Sequence, residues 1–330
     1  MRVRFFLMCK FALLVVLACA TPSVAGEDLL YLEAQAVGGY SSKEKSVIYH
    51  SMSANEPMQR SSVGFDILRK FSSGSGDTGT LALQGRVAWD PDARNRLESQ
   101  VYNAYYRFKT PYAYVWAGHN RPAAGLESYF DTHGTLLQTL PMYGYGFDRD
   151  WGLGASRDFN WGDAALSFTS GTGMRLRAAG NYLVSGRISK GALGRDNYSG
   201  GVYFTIGRVP ETIGYRLLDG AEKDCSAVGT DLSLLWDRWE LRADLRGGML
   251  RGMDYLAGLG RLGLNLLDEN RLKLEAQGVY SGTKGMESWT LGSGFSYTIT
   301  SELTLRTMFE YADEMNDKRV VTQLYYYFRV

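Results

Sequence analysis

The sequence predicts an all-β protein, a transmembrane antiparallel up-and-down β-barrel of about sixteen strands with one long loop folded inward. Three observations lead there. First, the segment Arg319 to Val330 (RVVTQLYYYFRV) alternates strictly. Val320, Thr322, Leu324, Tyr326, Phe328 and Val330 share one face, and Val321, Gln323, Tyr325, Tyr327 and Arg329 share the other. Period two marks a strand with unlike surroundings on its two sides, and an aromatic strand of this kind is how outer-membrane barrels usually finish. Terminal Val330 stands where Phe is the usual residue. Second, similar alternating segments recur along the chain, separated by short polar breaks. Third, the chain is rich in Tyr (22), Gly (39) and Trp (7) and poor in Pro (7). Each barrel strand shows only every second residue to lipid, so mean hydropathy stays low.

Residues 1–25 read as an export signal. Arg2, Arg4 and Lys10 form the basic end, Phe11 to Ala20 the apolar core, and Ser23-Val24-Ala25 the small-residue cleavage site before Gly26. The apolar run falls short of the roughly 20 residues of a spanning helix. Val16-Leu17-Ala18-Cys19 loosely resembles a lipoprotein box, which makes lipidation at Cys19 the alternative. The domain reading is therefore a signal over 1–25 and a single barrel over 26–330, with no linker or composition shift to divide it. The signal holds three cations and no acid, so its removal takes the formal charge from +1 to −2. That balance gives no basic excess for nucleic-acid binding. Cys9 and Cys19 lie in the signal, which leaves Cys225 and excludes an intrachain disulfide framework or a Cys-rich metal site.

The strands follow in order. Leu30, Leu32, Ala34 and Ala36 alternate with Tyr31, Glu33, Gln35 and Val37. Leu81, Leu83, Val87 and Trp89 alternate with Ala82, Gln84, Arg86 and Ala88. Leu272, Leu274, Ala276 and Gly278 oppose Lys273, Glu275 and Gln277, and Trp289, Leu291, Phe295 and Tyr297 oppose Thr290, Gly292, Ser296 and Thr298. The full reading places strands at 28–40, 60–71, 78–90, 96–108, 111–119, 147–159, 161–171, 180–190, 198–208, 226–236, 239–249, 255–267, 271–282, 287–299, 302–312 and 319–330. Short periplasmic turns then alternate with longer outer loops, as barrels require. The three longest outer loops are 41–59, 120–146 and 209–225. Ile213, Tyr215 and Leu217 leave room for a further strand pair, so fourteen to eighteen strands are compatible. Trp236-Asp237-Arg238-Trp239 puts two Trp beside a two-residue turn. With Tyr326 and Phe328 these are expected to form part of an aromatic girdle at the membrane interface; a cross-strand Trp pair in a soluble hairpin is the other reading.

Loop 120–146 is too long for a simple hairpin and carries Leu126, Tyr129, Phe130, Leu136, Leu137 and Leu140. A long loop with an apolar side packs on something, and in a wide barrel the inner wall is available. The loop is expected to fold inward and narrow a water-filled channel, with Glu127, Asp131 and His133 near the constriction. Packing on the outer rim or a neighbouring subunit is the alternative. Arg86, Arg107, Arg121 and Arg157 are the candidate cations of the pore. Arg306 and Arg329 are further inward cations, and Glu33, Asp66, Glu98, Asp163, Glu275 and Glu310 the inward anions. Arg and Lys in a lumen favour anions, and Asp and Glu favour cations.

Gly118, Pro122, Gly125, Leu126, Arg149, Asp150 and Gly152 carry a family resemblance. The stretch 117–171 resembles porins of the phosphate-selective O and P type: a strand with G-x-x-x-P, a Gly-Leu step into an inserted loop, then R-D-x-G and a hairpin ending in an FTSG-like strand. The resemblance implies a sixteen-stranded, trimeric diffusion channel. It does not imply phosphate selectivity, because loop 120–146 holds one cation, Arg121, and no Lys.

The sequence therefore points to an outer-membrane porin that passes small hydrophilic solutes or ions, without cofactor or metal, in contact with outer-membrane lipid. Other classes compete with this reading, a soluble periplasmic β protein among them. Asp131-Thr132-His133-Gly134-Thr135 sets an acid and hydroxyls beside one of only three His, which is the pattern an outer-membrane hydrolase would need. Thr in place of Ser argues against it, and no nucleotide, zinc-protease or calcium-loop motif is present. A barrel that sheaths an electron-transfer partner is another alternative, and an inward loop would obstruct such a partner.

Overall fold

The computed structural model describes residues 26–51, 59–74, 76–91, 96–283 and 285–330. The export signal expected over 1–25 lies outside the described residues. Among them, seventeen strands form one continuous antiparallel sheet. In chain order they are β1 (Gly26–Ser41), β2 (Ser46–Ile48), β3 (Ser62–Ser73), β4 (Gly76–Trp89), β5 (Leu97–Lys109), β6 (Tyr114–Asn120), β7 (Asp150–Phe159), β8 (Gly162–Thr169) and β9 (Tyr182–Lys190). Then come β10 (Tyr198–Ile213), β11 (Arg216–Trp236), β12 (Trp239–Leu250), β13 (Met253–Leu266), β14 (Leu272–Thr283), β15 (Met286–Thr298), β16 (Leu303–Ala312) and β17 (Asp317–Arg329). β2 is a three-residue extension that pairs with β1 above β3, so β2 and β3 share one position in the wall. The wall is thus sixteen strands around. β1 pairs with β17 from Tyr31↔Arg329 to Ser41↔Arg319 and closes it. Closure leaves no unpaired edge, which is what allows strands to stand in hydrocarbon.

Alternation decides which side chains meet lipid. On β17, Val320, Leu324 and Tyr326 face outward and are exposed, whereas Val321 and Gln323 face inward and are buried. On β15, Trp289, Leu291 and Phe295 point out. Exposed Leu, Val, Phe and Trp recur on the outer face of nearly every strand, a band that only a membrane can cover. The chain is an outer-membrane β-barrel. Trp236 and Trp239 sit opposite one another at the short-turn end, both outward, with Trp236 77% exposed. Asp237 takes a left-handed φ of 52° in the turn between them, a conformation that Asp tolerates. Tyr326 and Phe328 lie on the outer face of β17 towards the same end.

One expectation is corrected here. Residues 209–225 are not an outer loop, and they add no strand to the wall. β10 and β11 continue past their neighbours as one long hairpin: pairing with β9 stops at Arg208↔Tyr182 and pairing with β12 at Cys225↔Leu250. The mixed, largely polar residues from Glu211 to Asp224 read as a loop because no apolar face is needed above the membrane.

Candidate functional site

The chain between β6 and β7 enters the lumen. Its root is set by glycine. Gly118 has φ 126°, and a Cβ there would stand 2.2 Å from the Ala104 carbonyl oxygen, so β5 and β6 can pair only if residue 118 lacks a side chain. Gly125 has φ 58° and lies where a Cβ would meet the Asp244 carboxylate at 2.5 Å. The far root is held by Asp150, whose carboxylate accepts the Ser170 hydroxyl (2.8 Å) and the Gly171, Thr172 and Gly173 amides (2.6–3.2 Å). The motif positions from 118 to 152 thus fix where the loop leaves and rejoins the wall.

Between its roots the loop is tied to the wall on many sides. The Leu126 amide donates to Asp244 on β12 (3.1 Å), and the Tyr129 hydroxyl donates to Asp231 on β11 (3.0 Å). Arg261 on β13 and Gln277 on β14 donate to the Gln138 carbonyl (3.1 and 3.0 Å). Arg306 on β16 donates to the Gly134 carbonyl (3.0 Å), and His133 Nε2 lies 2.5 Å from Glu33 Oε2 on β1. Apolar contacts reinforce these ties. Leu126 and Leu140 pack on Ala257, Leu259 and Val279, and Leu136 and Leu137 pack on Val37, Met308 and Val321. Each buried Leu contributes about 1.5–3 kcal/mol. The loop therefore folds inward and rests on the inner wall.

Five of the seven expected pore residues fall into three groups. Asp131 forms the exposed edge of the loop, with the mostly buried Arg121 beside it. The Asp131 side chain is 52% exposed and is held by Arg121 (3.0 Å) and Arg149 (3.1 Å). Burial works to raise its pKa, but the two guanidiniums outweigh burial and hold the carboxyl below its usual range. His133 and Arg86 are nearby and covered. His133 packs edge-on against Tyr102 (4.1 Å), and Arg86 donates to the Tyr102 hydroxyl (3.0 Å) and to Gln100. Arg107 is inward but belongs to another compartment, a cavity of about 400 Å³ near the short-turn end lined also by Lys70, Lys109 and Asp158.

Two expectations are corrected. Glu127 does not face the pore: it is fully buried and bonded to Arg246 on β12. Burial pushes its pKa up to about 8, with the neighbouring Asp244 adding to the rise and Arg246 opposing it. Arg157 does not enter the lumen either. Pairing of Ser156 with Ala165 and of Arg157 with Ala164 puts Arg157 on the face shared by exposed Leu153 and Phe168, where it stacks over Phe159 (5.2 Å). It belongs to the lipid interface.

Sequence reasoning missed the wall side of the site. Arg187 pairs with Asp231 and Asp163, Arg246 with Asp244 and Glu127, and Arg242 lies 3.7 Å from the Phe130 ring centroid. The i, i+2 pair Asp244 and Arg246, on one face of an alternating strand, was the available signal. Glu33, bonded to His133, and Asp66, near His133 and Asp131, lie on β1 and β3, whereas Arg242, Arg261 and Arg306 lie on β12, β13 and β16. Carboxylates thus lie on one side of the lumen and guanidiniums on another, with Glu33, Arg261 and Arg306 bonded to the loop itself. Among the described residues no His, Cys, Asp and Glu are grouped to hold a metal ion.

No protein-family model and no curated protein matches the chain. Solved structures do. One is a loop L8 deletion mutant of OmpT, an outer membrane protein of Vibrio cholerae, at 14% identity over 92% of this chain and 100% of that one, with a TM-score of 0.63. Another is an anion-selective porin from Comamonas acidovorans, at 11% identity over 92% and 100%, with a TM-score of 0.64. A third is the outer membrane channel DcaP of Acinetobacter baumannii, at 10% identity over 94% and 99%, with a TM-score of 0.59. The fold is that of outer-membrane porins. The shared fold agrees with the closed wall described above; at these identities it carries no statement about solute.

Proposed function

We propose that the protein is a porin that passes small hydrophilic solutes or ions by passive diffusion, with loop 120–146 as its constriction. The observation that carries this reading is Asp131: a carboxylate kept ionised by Arg121 and Arg149 and half exposed on a loop that bridges the lumen. Such a loop sets a size limit, and the carboxylates and guanidiniums on either side of it set a field across the opening. The resemblance to O- and P-type porins and the porin fold support the same reading, and we extend it to a homotrimer, the form in which V. cholerae OmpT is also known. Selective phosphate transport is not part of the proposal, since the loop offers one cation, Arg121, and that one is committed to Asp131. The in-folded loop fills the space that a sheathed partner would need. Neither hydroxyl beside His133 serves it: Thr132 bonds Asp148 and Thr135 bonds the Thr132 carbonyl, which favours a channel over a hydrolase.

The test is conductance of the refolded protein in a planar bilayer with a salt gradient across it. Discrete, stable steps are expected, and the sign of the reversal potential reports which charges dominate the constriction. Absence of steps from a protein shown to be a folded barrel would end the porin reading.

A further inference from the structure

The hairpin that rises from β10 and β11 bends over the outer mouth. Its pairing shifts register twice, between Val209 and Glu211 and between Glu211 and Thr212, around Pro210. Bulges of this kind bend a strand, and Pro, with no N–H to give the ladder, is placed where pairing is already broken. The tip turns at Gly214 (φ 53°) and presents Tyr215. The Tyr215 hydroxyl donates to the Val101 carbonyl on β5 (3.1 Å), and its ring lies edge-on to Tyr102 at 6.5 Å. In the order of the wall, β5 is five strands from β10. The tip has therefore crossed the mouth.

The far side is prepared to receive it. β5 carries one extra residue against Gln84 and Gly85 on β4, and that residue is Tyr102. The bulge turns the Tyr102 ring into the lumen, where it joins Met142 of the loop and Met174 in one buried cluster, with Tyr215 packed against it. Beneath the tip, the space left between Thr212–Gly214 and the loop at Pro141, Met142 and Phe147 is about 20 Å³, room for little more than one water. Glu211–Arg251 and Glu222–Arg177 ion pairs steady the hairpin on its own side. These contacts are few and small beside those of the wall, and beyond Arg208 and Cys225 the hairpin is paired only with itself. Segments held in this way are the ones that open locally while the rest of a fold stays intact.

We propose that Val209–Asp224 is a lid on the outer mouth, latched by Tyr215 in the Tyr102 socket, and that its release regulates passage. This rests on the channel reading above and adds a second barrier, outside loop 120–146, that moves.

The experiment uses the refolded chain with Cys225→Ser, in planar bilayers, as two variants. Tyr102→Cys with Tyr215→Cys places one thiol on the β5 socket and one on the hairpin tip. Tyr215→Ser alone removes the latch. Heat-modifiable migration checks that each is a folded barrel. The oxidised double variant is expected to show low or rare conductance that rises several-fold on adding reductant, and Tyr215→Ser is expected to match the reduced state. Equal conductance for Tyr215→Ser and the parent, or no response of a verified disulfide to reductant, overturns the lid. Silence from every variant, including one lacking part of loop 120–146, overturns the channel itself and is thereby distinguished from failure of the lid.

Discussion

Arg246 Nη2 donates to both carboxylate oxygens of Glu127, at 2.8 and 3.0 Å, and joins the inserted loop to β12 across 119 residues of chain. The same nitrogen also donates to Asp244 (3.0 Å), so one guanidinium serves two buried carboxylates. Breaking such an arrangement from the cationic side leaves the Asp244 carboxylate without its cation and the Glu127 carboxyl without its donor. Arg246→Met is expected to destabilise the folded barrel by about 3–5 kcal/mol, read from the urea dependence of unfolding. Glu127→Gln keeps a donor-acceptor group in place and should cost far less.

The same triad gives a pH dependence. Burial raises the Glu127 pKa to about 8, so the seated loop holds a proton that a solvated Glu would have released. For an acid with a raised pKa the contribution to stability is fully present below the ordinary carboxylate range and declines as pH rises towards 8. Protease resistance of the loop should therefore fall between pH 5 and pH 8 (roughly the span between an ordinary and a buried carboxyl). Glu127→Gln should be flat across that range; an equal pH response in both would place the titration elsewhere.

Much of this fold was legible, and the reason is period two. The phase of β17 follows from Val320 to Val330 alone, and the Trp236–Trp239 turn announces itself by its two flanking aromatics. The in-folding of the loop was legible because Leu126, Leu136, Leu137 and Leu140 need a surface to cover them. What was not legible was long-range pairing. Glu127 looks like a pore residue until Arg246 is known to face it. An inward Arg157 requires a phase one residue away from the real one, and such a slip reverses every side chain on a strand; Asp150, buried on the inner face of β7, sets the correct phase, and Leu153 follows it outward. The β10–β11 extension was hidden because a hairpin in water carries no lipid-facing stripe.

Removal of Leu126–Thr139 should widen the opening. The deletion takes away Leu126, Leu136, Leu137 and the Glu127 clamp, while the arginines it uncovers on β12, β13 and β16 gain water rather than hydrocarbon. Single-channel conductance is expected to rise several-fold in a correctly folded variant. Unchanged conductance would mean that the loop is not the narrowest point.

Asp131→Asn tests the charge of the opening. Removing the half-exposed carboxylate leaves Arg121 and Arg149 less compensated, so the reversal potential should move towards anion preference. The shift should be larger in dilute salt, where the screening length is roughly 30 Å at 0.01 M, than at 1 M, where it is about 3 Å. A shift of equal size in both salts would point to a structural change instead of a field.

Leu291 and Thr290, adjacent on β15, provide the last test, because the pleat sends them to opposite sides of the wall. Leu291 is outward and 55% exposed, in the middle of its strand, whereas Thr290 faces the lumen. Arg on a lipid face near the bilayer midplane costs about 2–4 kcal/mol. On the lumen side water solvates the same guanidinium. Leu291→Arg is thus expected to lower folding stability in lipid vesicles by an amount in that range, and Thr290→Arg to leave it nearly unchanged while narrowing the channel. Equal losses from the two substitutions would contradict the assignment of lipid and lumen faces on which the rest of the barrel depends.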